Sequence, residues 1–169
     1  MDVISCKLGV KPVFINSAKV SAHNRQRYYW ANWEFEQPED KGILLSDVIE
    51  SGVVDRDKSY CIDANYWKGG NLKSYFTKSR RQLVFESEDT ACFDIDDVVS
   101  TDELGNKKLN DGYHYRKLTV TECERLQTVP EGYTNGVSNT QRYKMLGNGC
   151  TVNVLTHIFK SLPVEISFL

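Results

Sequence analysis

The chain has 169 residues, 40% hydrophobic and 26% charged, the proportions of an ordinary globular protein with a moderate core, one domain or one plus a small insert. A formal net charge of −2 excludes a uniformly basic nucleic-acid binder; no apolar run is long enough to span a bilayer, and Met1-Asp-Val-Ile-Ser5 lacks the basic start and apolar core of a signal peptide. Cys6, Cys61, Cys92, Cys123 and Cys150 lie far apart with no Cys-x-x-Cys or Cys/His cluster, which predicts reduced, mostly buried thiols in a cytosolic protein rather than a disulfide scaffold or a zinc site.

Residues 1–10 read as the tail of a helix. Val3, Ile4 and Leu8 give partial helical spacing, and Gly9 is placed to end it in a left-handed conformation. No cap opens this helix, and two turns alone are marginal, so the expectation is a parent helix that starts further upstream. Pro12-Val-Phe-Ile15 suits a strand buried on both faces. A polar stretch then leads to a second aromatic run, Tyr28-Tyr-Trp-Ala-Asn-Trp33, and the two runs read as neighbouring strands. Arg25 and Arg27 are two apart, so at the mouth of a strand they project to one side; as spacing alone, they also fit a pair of solvated charges.

Residues 34–112 change character. Ile43–Glu50 is a short amphipathic helix candidate closed by Gly52, and Tyr60–Ala64 is a candidate strand. Tyr66–Arg81 then interleaves aromatics with Lys68, Lys73, Lys78, Arg80 and Arg81, and no acid occurs between Asp63 and Glu86. Cations for phosphates beside aromatics for stacking make a nucleic-acid surface; a solvated basic face with half-buried rings fits the same letters. The following run inverts the sign: Glu86, Glu88, Asp89, Asp94, Asp96, Asp97, Asp102 and Glu103 come without an intervening base. Such a run faces away from DNA. Adjacent carboxylates such as Asp96 and Asp97 rarely converge, so no metal site is expected. Gly105-Asn106 and Asn110-Asp-Gly112 are hairpin turn signals.

Thr119-Val-Thr-Glu122 fits a capping box. Its helix would bury Val120, Cys123 and Leu126, with Pro130 just past its end. Ser138 or Asn139 can cap a further helix through Gln141–Leu146. A Gly147-Asn-Gly149 break follows, then a last helix whose Val152, Leu155, Ile158, Phe159 and Leu162 recur on one face. Gly147 and Gly149 allow a sharp turn and a close approach, and the first amides of the last helix would point at whatever sits there. An ordinary helix–turn–helix corner has the same pattern.

Three blocks taken together, and in order, resemble the DNA (cytosine-5)-methyltransferase family, with wording nearest to phage and bacterial enzymes. His23-Asn-Arg25-Gln-Arg27 is similar to the Gln-x-Arg-x-Arg block, with His in the first place. Arg116-Lys-Leu-Thr…Glu122-x-x-Arg125-Leu-Gln127…Pro130 is similar to the next block, and Gln141-x-Tyr143-Lys144…Gly147-Asn-Gly149…Val152-x-Val154 to the last. The resemblance implies that residues 1–33 and 113–169 belong to the catalytic domain and 34–112 to the target recognition domain. It implies an α/β fold: part of a Rossmann-like S-adenosylmethionine-dependent methyltransferase sheet edge with closing helices, plus a small mixed α+β insert. Arg27 then matches the arginine at the flipped cytosine's O2, with Arg25 its support, and Asn148, Gly149 and Cys150 match the segment that closes over S-adenosyl-L-methionine.

The sequence also departs from the family. No Pro-Cys dipeptide carries a nucleophile, no Glu-Asn-Val carries the acid, and no Phe-x-Gly-x-Gly loop is present. The expectation is therefore a C-terminal portion or subunit that binds double-stranded DNA, through Lys68, Lys73, Lys78, Arg80 and Arg81 among others. It would need an N-terminal methyltransferase subunit to be active and would share the cofactor with it. Its setting would be the cytoplasm of a bacterium or phage-infected host, with no membrane partner. A non-catalytic DNA-binding module and a truncated remnant are the alternatives.

Overall fold

A computed structural model describes residues 2–86, 99–101, 107–109 and 114–163. The expected turns at 105–106 and 110–112, Cys92 and the acidic run beyond Glu86 lie outside the described residues. Helix α1 (Asp2–Leu8) ends at Gly9, whose φ is +69° and whose N–H donates to the Ser5 carbonyl at 2.8 Å. Strands β1 (Val13–Asn16) and β2 (Gln26–Tyr29) pair antiparallel, with Ile15 opposite Arg27. The pair is buried on one face only, not both as expected. Ile15 sits in a cluster with Val20, Phe35, Val154 and Ile158, whereas Phe14 and Tyr28 are 42% and 43% exposed.

From residue 41 onward, tertiary hydrogen bonds replace two expected elements. Leu45–Val48 forms a turn instead of the helix expected over 43–50. The Asp47 carboxylate accepts from Leu44 N–H at 2.8 Å, Glu122 accepts from Glu50 N–H at 2.7 Å, and Arg125 donates to the Val48 carbonyl at 2.9 Å. With those groups already partnered, and only Leu45 and Val48 to bury, a helix adds nothing. The strand expected at 60–64 reduces to one bridge between His23 and Ser59. Beyond it, the Tyr60 and Ile62 amides donate to side chains, Gln82 Oε1 at 3.2 Å and His23 Nε2 at 2.9 Å.

The basic–aromatic run folds as a 3-10 turn (Tyr66–Lys68) and helix α2 (Leu72–Lys78), capped by Asn71, whose Oδ1 accepts from Ser74 N–H. Tyr66 and Tyr75 are 1% and 0% exposed, which corrects the reading of these rings as a stacking surface: they are core. Strand β3 (Leu83–Phe85) pairs antiparallel with β6 (Tyr115–Lys117), and β4 (Val99–Thr101) with β5 (Lys107–Leu109).

Helix α3 (Val120–Leu126) carries both halves of the capping box: Thr119 Oγ1 accepts from Glu122 N–H, and the Glu122 carboxylate accepts from Thr119 N–H. Helices α4 (Asn139–Asn148, capped by Ser138) and α5 (Val152–Lys160) follow. The face α5 buries is Val154 and Ile158; Val152 and Phe159 are exposed. That corrects the apolar stripe expected over 152–162, because packing on Ile15 and Phe35 selects a neighbouring stripe. A central core joins Ala22, Leu45, Ile62 and Tyr66 to Leu118, Leu126, Tyr143 and Leu146, so the segment 34–86 and the closing helices share one interior. Among the described residues no helix is long and apolar enough to cross a membrane.

Candidate functional site

The three sequence blocks meet at the α4–α5 corner, where Arg25 joins the first to the last and Gln127 joins the second to the last. Asn16, at the end of β1, accepts on one carboxamide oxygen from Ala18 N–H and Arg25 N–H, both at 3.1 Å. This shapes the loop between β1 and β2 and turns Arg25 inward, where it is 5% exposed. Its guanidinium donates to the carbonyls of Ile62 at 3.2 Å, Gly147 at 3.2 Å and Gly149 at 2.8 Å. A planar fork with several fixed donors suits three carbonyls from two segments, and it stays charged when buried.

Gly147 is where a close approach occurs, and the approaching group is protein. A Cβ there would overlap the backbone of Asp63 and Ala64. His23, in the place of the family's Gln, is fully buried, and its Nε2 accepts from Ile62 N–H at 2.9 Å. Burial, then the charges of Arg25 and Arg27, push its pKa down from 6.5 to about 3. The ring is therefore neutral and serves as an acceptor.

Arg25 and Arg27 part ways, against the expectation of a common side. Arg27 lies within β2, exposed, and among the described residues its guanidinium donates only to the neighbouring Gln26 carbonyl, at 2.7 Å. It presents a guanidinium to solvent two residues from a buried one.

The corner also corrects the expectation of free helix amides. Val152 N–H donates to the Gln127 carbonyl and Asn153 N–H to Thr128 Oγ1, both at 2.9 Å. Thr151 Oγ1 donates to Gln127 Oε1 at 2.9 Å, while Gln127 Nε2 donates to the Leu146 carbonyl at 2.6 Å. Gln127 and Thr128 thus hold the start of α5, a role their local sequence gave no sign of. Beside them, Glu124 on α3 is fully buried and accepts from Gly132 N–H, Thr134 N–H and Arg142. Burial raises its pKa, but these hydrogen bonds outweigh that and hold it below the usual carboxylate value.

What remains open at the corner is Asn148 and Cys150, both exposed. Cys6 is exposed and Cys61 half-buried, so Cys123 alone of the four described thiols is buried, which corrects the expectation of mostly buried ones. Cys150 and Gly149 border a largely apolar cavity of about 340 Å³, walled by Val129, Tyr133, Met145 and Leu155 among others. The Asn148 carboxamide makes no hydrogen bond among the described residues and stands beside this cavity without lining it.

The predicted DNA-binding cations divide as well. Lys73 and Lys78 on α2 and Lys68 before it are exposed and enter no ion pair among the described residues. Arg80 pairs with Asp63 at 3.1 Å on the surface, an interaction worth about 0–1 kcal/mol. Arg81 turns back, with a φ of +62°, to donate to the Gly69 carbonyl at 2.9 Å.

This architecture is that of a methyltransferase-type mixed α/β fold. A solved structure of the Entamoeba histolytica methyltransferase EhMeth superposes with a TM-score of 0.56 over 91% of this chain and 54% of that one, at 15% identity. Sequence comparison carries the assignment further: the profile of the C-5 cytosine-specific DNA methylase family matches residues 12–163, and the chain belongs to that family. It is 30% identical over 165 residues to the Type II methyltransferase M2.ScrFI of Lactococcus lactis subsp. cremoris, covering 82% of this chain and 41% of that protein. It is 23% identical over 160 residues to the Type II methyltransferase M.NlaX of Neisseria lactamica, covering 85% and 49%. Over 55 residues it is 49% identical to the Orphan methyltransferase M.Rho11sI of Bacillus phage rho11s, covering 30% and 11%. The chain spans at most about half the length of these relatives.

Proposed function

We propose that this chain is the C-terminal part of a DNA (cytosine-5)-methyltransferase, recognising double-stranded DNA and closing the cytosine and cofactor site. In this reading it completes an N-terminal catalytic half that carries the Pro-Cys nucleophile and the Glu-Asn-Val acid. The observation that carries the proposal is the union of the His23–Arg27 block with the Gly147–Gly149 block through one buried guanidinium. Residues more than a hundred positions apart are thereby held as one rim.

Within that rim the roles follow from chemistry. Arg27, solvated and always charged, donates to O2 of an extruded cytosine and holds the ring as charge develops on it. Extruding the base costs about a few kcal/mol. Arg25 acts through others: it fixes Gly147 and Gly149, so that Asn148 and Cys150 face the cofactor. S-adenosylmethionine supplies the electrophilic methyl group when bound. Residues 34–112 act as the target recognition domain and 1–33 with 113–169 as part of the catalytic sheet edge, with Lys68, Lys73, Lys78 and Arg80 toward the phosphates. The half-exposed Phe14 and Tyr28, on the open face of a two-stranded sheet, would dock the other half, in the cytoplasm of a bacterial or phage-infected host.

The test mixes the chain with a cognate N-terminal half and scores transfer from labelled S-adenosylmethionine to DNA. Transfer is expected in the mixture and in neither part alone, and Arg27→Ala should lower it about a hundredfold. Transfer by the chain alone, or none with any cognate half, overturns the proposal.

A further inference from the structure

We infer that Lys68, Lys117 and Lys144, gathered around Trp67, form a second contact for the DNA phosphate backbone, at the seam between the insert and the closing helices. The inference rests on the reading of this chain as the DNA-recognising part of a methyltransferase. It adds two cations that lie outside the basic run of the sequence.

Three segments supply the site. Trp67 stands in the 3-10 turn that precedes α2. The Lys68 ammonium lies 5.5 Å from its ring centroid, and the Lys144 ammonium, from α4, lies 5.9 Å from the same centroid. Lys117, at the end of β6, donates to the Trp67 carbonyl at 3.0 Å, and its ammonium stands 4.5 Å from the Tyr143 ring centroid. Sequence positions 68, 117 and 144 thus converge on Trp67, two near its ring and one at its carbonyl.

Among the described residues, none of these lysines is paired with a carboxylate. The ion pairs there join Asp55, Asp63, Glu122, Glu124 and Glu131 to arginines. Lys68 is exposed and Lys144 half-buried, and neither ammonium hydrogen-bonds to a described residue. The chain has 23 acidic and 21 basic residues, so carboxylates are not scarce; Asp63 and Glu122, which belong to this neighbourhood, are already paired with Arg80 and Arg116. Three like charges in one place repel unless an anion joins them. Aromatic faces orient ammonium groups without neutralising them, which leaves their charge for a ligand.

The arrangement favours a polymer over a small anion. Two of the cations stand near the Trp67 ring and the third on its carbonyl, spread along a surface as suits successive phosphates along a groove. Lys68 also joins the seam to the basic run, since the adjacent Gly69 carbonyl is held by Arg81 beside Arg80. The seam would therefore grip DNA from the closing-helix side and extend the row of cations that α2 begins.

The experiment measures binding of the full chain to a labelled mixed-sequence duplex by fluorescence anisotropy across a salt series. Removing one lysine–phosphate pairing should lower the slope of log K against log salt by about 0.9. Lys144→Gln is the deciding variant, because its ammonium makes no hydrogen bond within the described fold that the change could disturb. It should lower the slope by about one and Lys117→Gln/Lys144→Gln by about two, with Lys144→Arg restoring it. Lys73→Gln on α2 reports the basic helix separately. An unchanged slope in Lys144→Gln and in Lys117→Gln/Lys144→Gln, while Lys73→Gln lowers it, overturns the seam contact and leaves the DNA-recognition reading standing. Absence of salt-sensitive binding by the unaltered chain overturns both. Displacement of the duplex by inorganic phosphate at fixed ionic strength, abolished in Lys144→Gln, makes this a free-phosphate site and overturns the inference.

Discussion

The α4–α5 corner and helix α2 are both rich in charge and flanked by glycine, yet they treat polar groups in opposite ways. At the corner, Arg25 is committed to three carbonyls, Gln127 and Thr128 to the amides of α5, and Glu124 to Thr134, Gly132 and Arg142. On α2, Lys73 and Lys78 have no ion-pair partner among the described residues. A buried charge must be satisfied internally, because leaving it bare is costly. A surface charge need not be. Charges that find internal acceptors therefore build a frame, and charges that find none are left to meet a ligand. Arg25 and Arg27 show the same division two residues apart.

The comparison is broken most severely at Gly147. If the backbone of Asp63 and Ala64 is seated on it, Gly147→Ala should lower stability by about 3 kcal/mol, read as a shift in urea midpoint. Lys73→Gln on the open helix should stay within about 0.5 kcal/mol in the same assay. Equal effects would erase the distinction between the two regions.

Arg25→Lys comes next. It keeps the charge but cannot reach three carbonyls, so it should cost about 2 kcal/mol. Loss of methyl transfer in the reconstituted mixture should accompany it, since the rim is no longer held. A variant as stable as the parent would show that the fork is dispensable.

A further effect emerges only as pH is lowered. The unfolded chain protonates His23 below 6.5, whereas the folded chain resists this until about 3. Between those values the unfolded state binds more protons, so stability falls as pH falls, by at most about 1.4 kcal/mol per pH unit. His23→Gln keeps an acceptor for Ile62 N–H and should flatten the stability profile from pH 6.5 down to about 4.5. Below that, Glu122 and Glu124 begin to dominate, as both are held under the usual carboxylate value. Parallel profiles for parent and variant would place the acid sensitivity elsewhere.

What could be read from the chain beforehand was local or carried by motifs. The Thr119–Glu122 capping box, the Gly9 stop and the Ser138 cap each depend on residues within a turn of one another, and each forms as expected. Family membership was readable because three motifs keep their order across a long insert. Ile43–Glu50 had helical spacing but became a turn, since Glu122 and Arg125, more than seventy positions away, take its backbone groups.

The sequence by itself determined the caps, the Gly9 stop, the pairing of the first two strands and the family to which the chain belongs, while the break expected at Gly147 falls after Asn148, at the end of α4. Only the tertiary structure decided that Gly147 receives the Asp63–Ala64 backbone, that Tyr66 and Tyr75 are core, and that α5 buries Val154. It alone turned Arg25 inward and left Arg27 outside. The physical reason is range: capping and turn preferences act within a few residues, whereas burial and the pairing of buried charges depend on partners that the chain brings together only when folded.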